Sequence, residues 1–147
     1  MKKRQFGFTF IEVLAVLSII ALATIGVLAL RDWAASNARV ADTKAQIATI
    51  QSGVQQWRPR NGVYTGISIQ NLSNVAAVPV EWGDGRQMNP WGGDITVVAD
   101  NTDPTRYTIR FTNIRIAAEG QRLARDYQEI ANSVTFSGNT LEVRFQG

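Results

Sequence analysis

The chain has 147 residues, 15 Lys and Arg, 12 Asp and Glu, a formal net charge of +3, and neither cysteine nor histidine. The absence of those two residue types removes the usual zinc ligands, thiol nucleophiles, disulfides and histidine-based acid/base catalysis. The sequence also has no glycine-rich phosphate-binding loop. The composition therefore argues against an enzyme and predicts neither a cofactor nor a metal centre.

The basic excess comes from the first few residues. Lys2, Lys3 and Arg4 precede a long apolar run, and the remaining twelve basic residues equal the twelve acidic ones. Arginines recur in the C-terminal third with acidic residues between them, at Arg106, Arg110, Arg115, Arg122 and Arg125. Nucleic-acid-binding domains usually show a clustered basic face instead. We expect a solvated or subunit-contact face and no direct nucleic-acid binding, with DNA contact as the alternative.

The apolar run, Phe8–Leu30, has twenty-three residues and one ionisable side chain, Glu12. About 20 apolar residues can cross a bilayer as a helix. The run is longer than the apolar core of a secretory signal peptide and continues into Arg31, so a signal anchor with a cytoplasmic N-terminus fits its length better. Neither alternative explains Glu12, because a carboxylate at the bilayer centre costs about 2.5–3.5 kcal/mol and rarely lacks a partner.

Residues 7–13, with the sequence GFTFIEV, follow the basic leader directly. They resemble the processing site of the type IV pilin family, which includes the pseudopilins of type II secretion. The resemblance implies that a prepilin peptidase cuts after Gly7 and methylates the new amine of Phe8. It also implies that Glu12 pairs with the amine of a neighbouring subunit during assembly, which relieves the desolvation of both charges. The alternative is that Glu12 only extends to the lipid headgroups.

Beyond the apolar run the helix is expected to continue. The sequence from Asp32 to Trp57 contains no proline and many helix formers. Apolar residues at helical spacing predict one buried stripe, formed by Val40, Ile47, Ile50, Val54 and Trp57. Pro59 should end the helix, which would then have about fifty residues. Gly26, in the apolar half, indicates either a point of local unwinding or a close-packing site between helices.

The middle of the chain, from Val63 to Asp103, is typical of a loop with short pieces of structure. Residues 88–93, MNPWGG, predict a rigid turn with an anchored indole at Trp91. They resemble a string found in type IVb pilins and, in a shorter form, in the major pseudopilins of type II secretion. A sugar-binding platform of Trp82 and Trp91 is an alternative. The oxygen-rich side chains of this region suggest calcium without matching a calcium-loop pattern, and they are Asp84, Asp94, Asp100, Asn101 and Asp103.

The last third alternates between strand and helix patterns. Residues 106–112 place Tyr107, Ile109 and Phe111 on one face, as expected for a half-buried strand. A short amphipathic helix is predicted by apolar residues at helical intervals, namely Ile116, Leu123, Tyr127 and Ile130. Residues 134–136 and 141–145 then flank the turn sequence SGNT, which predicts a β-hairpin.

These elements predict an α+β protein in which a long N-terminal α-helix packs on a small antiparallel β-sheet head. We expect three divisions of the chain. Residues 1–7 are a cleaved leader, residues 8–30 are the transmembrane and assembly half of the helix, and residues 31–147 are the amphipathic half-helix with the globular head.

The resemblance implies a structural subunit, the major pilin of a type IV pilus used for conjugation or adhesion. The precursor would lie in the bacterial inner membrane, where prepilin peptidase and the pilus assembly machinery act on it, and the product would be an extracellular homopolymer. The order of head elements looks most like type IVb pilins, although many pilins carry a C-terminal disulfide that this cysteine-free chain cannot form. The alternatives are a type II secretion pseudopilin and a membrane-anchored envelope protein that does not polymerise.

Overall fold

The computed structural model describes residues 6–84 and 89–147. The leader residues Lys2, Lys3 and Arg4, and Met88 of the predicted turn, lie outside the described residues. The chain divides into two compact units, the first ending at Asn37 and the second comprising Ala38–Gly147.

One helix, α1, runs through both units from Phe10 to Trp57 and has 48 residues. This confirms the predicted long helix and its end before Pro59, which cannot continue a helical hydrogen-bond ladder. Within α1, an 18-residue stretch near the N-terminus has a mean hydropathy of 2.8 and no buried residue, and it is long and apolar enough to cross a membrane. The helix is continuous through Gly26, where an added Cβ would meet no atom within 4 Å.

The second unit contains a four-stranded antiparallel sheet with the strand order β1-β2-β4-β3. The strands are β1 (Ile95–Ala99), β2 (Arg106–Phe111), β3 (Ser133–Ser137) and β4 (Thr140–Gln146). A row of aliphatic side chains crosses all four, because Val97 pairs with Ile109, Ile109 with Val143, and Val143 with Val134. This row forms the middle of the face that the core covers.

The predicted strand and hairpin of the last third are confirmed as β2, β3 and β4. Gly138 has a φ of +62° at the first central position of the β3–β4 turn, a geometry that favours glycine. The middle of the chain is more ordered than a loop, since it contains β1 and two short helices, α2 (Ile69–Asn74) and α3 (Val80–Gly83). The strand β1 was not predicted from the sequence, although its run of β-branched residues favours a strand.

The core lies between the sheet and the part of α1 in the second unit. The predicted stripe is confirmed, since its first four members are buried and Trp57 packs against them at the margin. Gly53, within the stripe, is required there, because an added Cβ would lie 2.7 Å from the Ala77 carbonyl oxygen. The α+β fold, with a long helix packed on a small antiparallel sheet, is therefore confirmed.

A further helix, α4 (Ala117–Tyr127), packs beside the β3–β4 hairpin. Leu123 is buried as predicted, but Ile116 and Ile130 are 43% and 69% exposed, so that half of the predicted apolar stripe is wrong. Ile116 is the N-cap residue of α4 and Ile130 lies in the turn beyond its C-cap, whereas Gly120 is buried. An added Cβ at Gly120 would lie 2.3 Å from the Phe136 ring, so this close contact sets the orientation of α4.

Candidate functional site

The predicted processing and assembly residues lie at the start of α1. Thr9 immediately precedes the first helical residue, Phe10, and its backbone carbonyl accepts a hydrogen bond from the Val13 amide at 3.1 Å. The Thr9 hydroxyl accepts from the Glu12 amide at 3.2 Å, and the Glu12 carboxylate accepts from the Thr9 amide at 3.2 Å. This reciprocal pair is a capping box, with Thr9 as the N-cap and Glu12 at the third helical position.

The residues on either side of the predicted cleavage bond are exposed. Phe8 is exposed, and an added Cβ at Gly7 would meet no atom within 4 Å. Gly7 also lies outside the left-handed region that favours glycine. The fold of the chain therefore does not require glycine at position 7. A requirement for glycine there would come from a molecule that recognises this segment.

In the second unit, a buried carboxylate joins three separate parts of the chain. Glu119, 2% exposed at its side chain, accepts hydrogen bonds from the guanidinium of Arg39 on α1, the shortest at 2.6 Å. Its other oxygen also accepts from the Trp91 indole nitrogen at 2.6 Å. We call Arg39, Trp91 and Glu119 the head node. A buried carboxylate with charge-assisted hydrogen bonds on both oxygens is well compensated for its desolvation.

The turn that carries Trp91 is held by Asn89. The Asn89 side-chain oxygen accepts from the amides of Trp91 and Gly93, both at 3.0 Å, while its amide nitrogen donates to the Thr112 carbonyl at 2.6 Å. The predicted rigid turn with an anchored indole is thus confirmed for residues 89–93, and the indole nitrogen is used within the head.

The arginines of the C-terminal third do not form one basic face. Arg106, Arg110 and Arg144 lie on strands of the sheet and pair with Asp103, Glu142 and Asp100 at 3.2, 2.7 and 2.9 Å. The other arginines of this region lie on α4 or in the loop before it, at Arg115, Arg122 and Arg125. On the sheet the positive charge is largely matched by carboxylates, which favours the predicted solvated or subunit-contact face.

The acidic side chains near the β1–β2 loop serve the loop itself. The Thr102 amide and hydroxyl donate to Asp100, and these hydrogen bonds hold the pKa of that carboxyl below its usual range. Asp103 has the same arrangement with Thr105, whose hydroxyl and amide lower its pKa. Within residues 6–84 and 89–147, no group of three carboxylates could hold a metal ion.

A second ion pair connects α1 to α4. Lys44 lies 2.6 Å from Asp126, and its hydrogen bond lowers the pKa of that carboxyl. Together with the head node, this pair ties α4 to α1 at two points along the helix. These contacts join side chains that are far apart in the sequence, so no local sequence pattern could predict them.

Two family models match the chain. The model described as the prokaryotic N-terminal methylation motif matches residues 2–28, and the Bundlin model matches residues 32–138. No curated protein matches the sequence. The first match covers the leader and the apolar half of α1, and the second covers most of the head.

A long apolar helix with a methylation motif, followed by an α+β head, defines the class of type IV pilins. The chain belongs to the Bundlin family of type IV pilins, whose model covers well over half of its length.

Sequence reasoning missed three residues of these sites. Thr9 had a detectable signal, since a threonine three residues before a glutamate at the start of an apolar run predicts a capping box. Arg39 and Glu119 had none, because 80 residues separate them and only the packing of α4 brings them together.

Proposed function

We propose that the chain is the major pilin of a type IV pilus that serves conjugation or adhesion. One observation carries the proposal: the methylation motif, at residues 2–28, stands directly before a Bundlin head at residues 32–138. This order is the one that a filament subunit needs, with an apolar helix for assembly and a soluble head. The same family match supports a structural, non-enzymatic role and favours a pilus over a pseudopilus.

In this proposal, residues 1–7 are the cleaved leader, residues 8–30 are the transmembrane and assembly segment, and residues 31–147 form the rest of the helix and the head. Prepilin peptidase cuts between Gly7 and Phe8 and methylates the Phe8 amine. The subunit waits in the bacterial inner membrane and then enters an extracellular homopolymer through the pilus assembly machinery. Nucleic acid has no direct part in this assembly.

Glu12 acts in assembly through its charge. The carboxylate and the amine of a neighbouring subunit's Phe8 are each expensive to bury alone and much less so together. Each subunit therefore brings one half of an ion pair to each of two neighbours. The exposed position of Glu12 at the first turn of α1 is compatible with such a contact.

Processing is tested by intact-mass measurement of the membrane and filament forms. The expected mass is that of residues 8–147 plus one methyl group. Replacing Gly7 with a bulkier residue should leave the uncleaved precursor in the membrane, whereas Gly26→Ala, a glycine change in equally open surroundings, should be processed normally. A parental chain that stays uncleaved and unmethylated would refute the proposal.

Assembly is tested by electron microscopy of sheared surface fibres together with their quantification. Glu12→Ala should insert and be cleaved like the parent, yet give few filaments. Asp32→Ala, which removes a carboxylate beyond the apolar run of the same helix, is the control and should assemble normally. Parental filament yield from Glu12→Ala would remove Glu12 from the mechanism.

A further inference from the structure

The capping box at the start of α1 uses only part of the Glu12 carboxylate. Oε2 accepts the hydrogen bond from the Thr9 amide at 3.2 Å. Within the part of the chain that the structure describes, Oε1 has no hydrogen bond. The two oxygens are therefore differently placed, one engaged by the chain's own backbone and the other available to a second group.

This arrangement survives the proposed cleavage. The amide that donates to Glu12 belongs to the peptide bond between Phe8 and Thr9, and cutting after Gly7 leaves that bond in place. The hydroxyl contact from Thr9 to the Glu12 amide also lies wholly within the mature chain. The new N-terminus then lies a single residue before the N-cap.

The proposed assembly removes the start of α1 from water, which makes these two hydrogen bonds important. The first four amides of a helix have no partner within it, and in hydrocarbon each unsatisfied amide costs several kcal/mol. The box satisfies the amides of Thr9 and Glu12 at once. Phe8 and Val13 line the same groove of about 180 Å³ beside Glu12, as expected for the apolar contact that often accompanies a capping box.

We propose that Thr9 is a positioning residue for filament assembly: it holds the Glu12 carboxylate against the first turn of α1, so that Oε1 is directed to the Phe8 amine of a neighbouring subunit. The inference rests on the proposed function, since it assumes that this amine is the partner of Glu12. Thr9 makes no contact with the partner amine in this scheme and acts only through Glu12. Its hydroxyl acts through the backbone: by accepting from the Glu12 amide it fixes the N-cap geometry in which the Thr9 amide meets Oε2 of Glu12. A residue without the hydroxyl leaves the Glu12 amide unsatisfied and loosens that geometry.

The test compares four variants of the full chain in cells, at matched membrane levels. Thr9→Val keeps the shape and the β-branch but loses the hydroxyl, and Thr9→Ser keeps the hydroxyl. Glu12→Gln keeps a capping side chain but loses the charge. The double variant Thr9→Val/Glu12→Gln shows whether the two residues act together. Intact mass reports cleavage and methylation, and sheared-fibre yield reports assembly.

We expect Thr9→Val to be cleaved and methylated like the parent and to give about five-fold fewer filaments, which corresponds to about 1 kcal/mol per assembly step, the usual size of an N-cap effect. Thr9→Ser should assemble like the parent. The double variant should assemble no worse than Glu12→Gln alone, because the charge that Thr9 positions is already missing.

Three outcomes would overturn the inference while leaving the proposed function intact, provided that Glu12→Gln assembles poorly. These are parental filament yield from Thr9→Val, an equal loss from Thr9→Ser, and failure of Thr9→Val to be cleaved, which would make Thr9 a peptidase recognition residue instead. Parental yield from Glu12→Gln would contradict the ion pair itself, and the inference would fail together with that part of the proposed function.

Discussion

The two parts of α1 have similar helical propensity and very different surroundings. In the first unit, Ile19 is 65% exposed and no residue of the apolar stretch is buried. In the second unit, Ile47 is fully buried against the sheet. The apolar residues of the first part surround the helix, whereas those of the second part form one stripe, and only a stripe can be covered by a single sheet.

The apolar surface of the first part has no partner within the described residues of the chain. A soluble monomer rarely exposes a continuous apolar surface of this length, so the surface indicates a membrane or other subunits as its surroundings. The second part has its partners within the chain. Mutations in the first part should therefore change filament yield, and mutations in the second part should change the stability of the head.

The largest effect is expected from Ile47→Ala. Removing a fully buried aliphatic side chain should lower the free energy of unfolding of the head by about 2–5 kcal/mol. Ile19→Ala in the apolar stretch should change it by less than about 0.5 kcal/mol. Denaturant unfolding of the full chain in detergent, followed by tryptophan fluorescence, measures both. Equal effects of the two substitutions would contradict the assignment of Ile47 to the core of the head and of Ile19 to a surface outside it.

A somewhat smaller effect is expected where α1 meets α4. Glu119→Ala removes the partner of Arg39 and Trp91 and should destabilise the head by about 2–4 kcal/mol, since Arg39 keeps some access to water. Glu142→Ala, which breaks an exposed pair with Arg110, is the surface control and should cost less than about 1 kcal/mol.

Glu12→Ala changes a carboxylate in the first part of α1, where we expect an effect on assembly and none on the stability of the head. It removes the only ionisable side chain of the apolar run and should leave head stability unchanged while filament yield falls. The denaturant unfolding assay and the sheared-fibre assay are both applied to Glu12→Ala, Glu119→Ala and Glu142→Ala. A loss of head stability in Glu12→Ala, or none in Glu119→Ala, would contradict the division of roles.

Alkaline pH should lower the stability of the head, which contains the second part of α1. Burial raises the pKa of Tyr107 to about 12, while an unfolded tyrosine titrates near 10. A group whose folded pKa is raised contributes its full stabilisation below the unfolded pKa and loses it as the pH rises, so head stability should fall by roughly 2–3 kcal/mol between about pH 10 and 12. Burial also raises the pKa of Tyr127, which adds to the loss.

Tyr107→Phe provides the control for the alkaline loss. The variant loses the hydrogen bond with Gln51 at every pH, so its stability is first measured at pH 8, where Tyr107 is neutral in both states. Its stability should then fall less steeply than that of the parent between pH 10 and 12. Parallel curves for the two proteins would show that Tyr107 does not cause the loss.

The smallest effect, none at all, is expected from a reducing agent. A fragment of residues 33–147 keeps the buried stripe and the whole sheet, and it should be soluble and monomeric with a cooperative thermal melt. Because the chain has no cysteine, the midpoint should be the same with and without reductant. Aggregation or a non-cooperative melt would mean that the stripe serves other subunits more than its own sheet.

Local patterns predicted most of the elements. The position of Pro59, the stripe from Val40 to Val54 and the SGNT turn were enough for α1 and the hairpin, because each depends on residues that are neighbours along the chain. The leader motif and the single charge of the apolar run, Glu12, were also visible in the sequence, because both depend on neighbouring residues. β1 was missed because a short β-branched run between turn residues is ambiguous without its partner strand.

Residues that are neighbours along the chain were therefore enough to predict the long helix, the hairpin, the class of the N-terminal segment and the family resemblance. The orientation of α4 could not be predicted in this way, because it depends on the contact between Gly120 and the Phe136 ring. The same is true of the head node, in which Arg39 and Glu119 meet although 80 residues separate them. Helical periodicity reports which side chains share a face, but the partner of that face is set by packing between distant segments, and a buried charge is acceptable only where packing supplies its counter-charge.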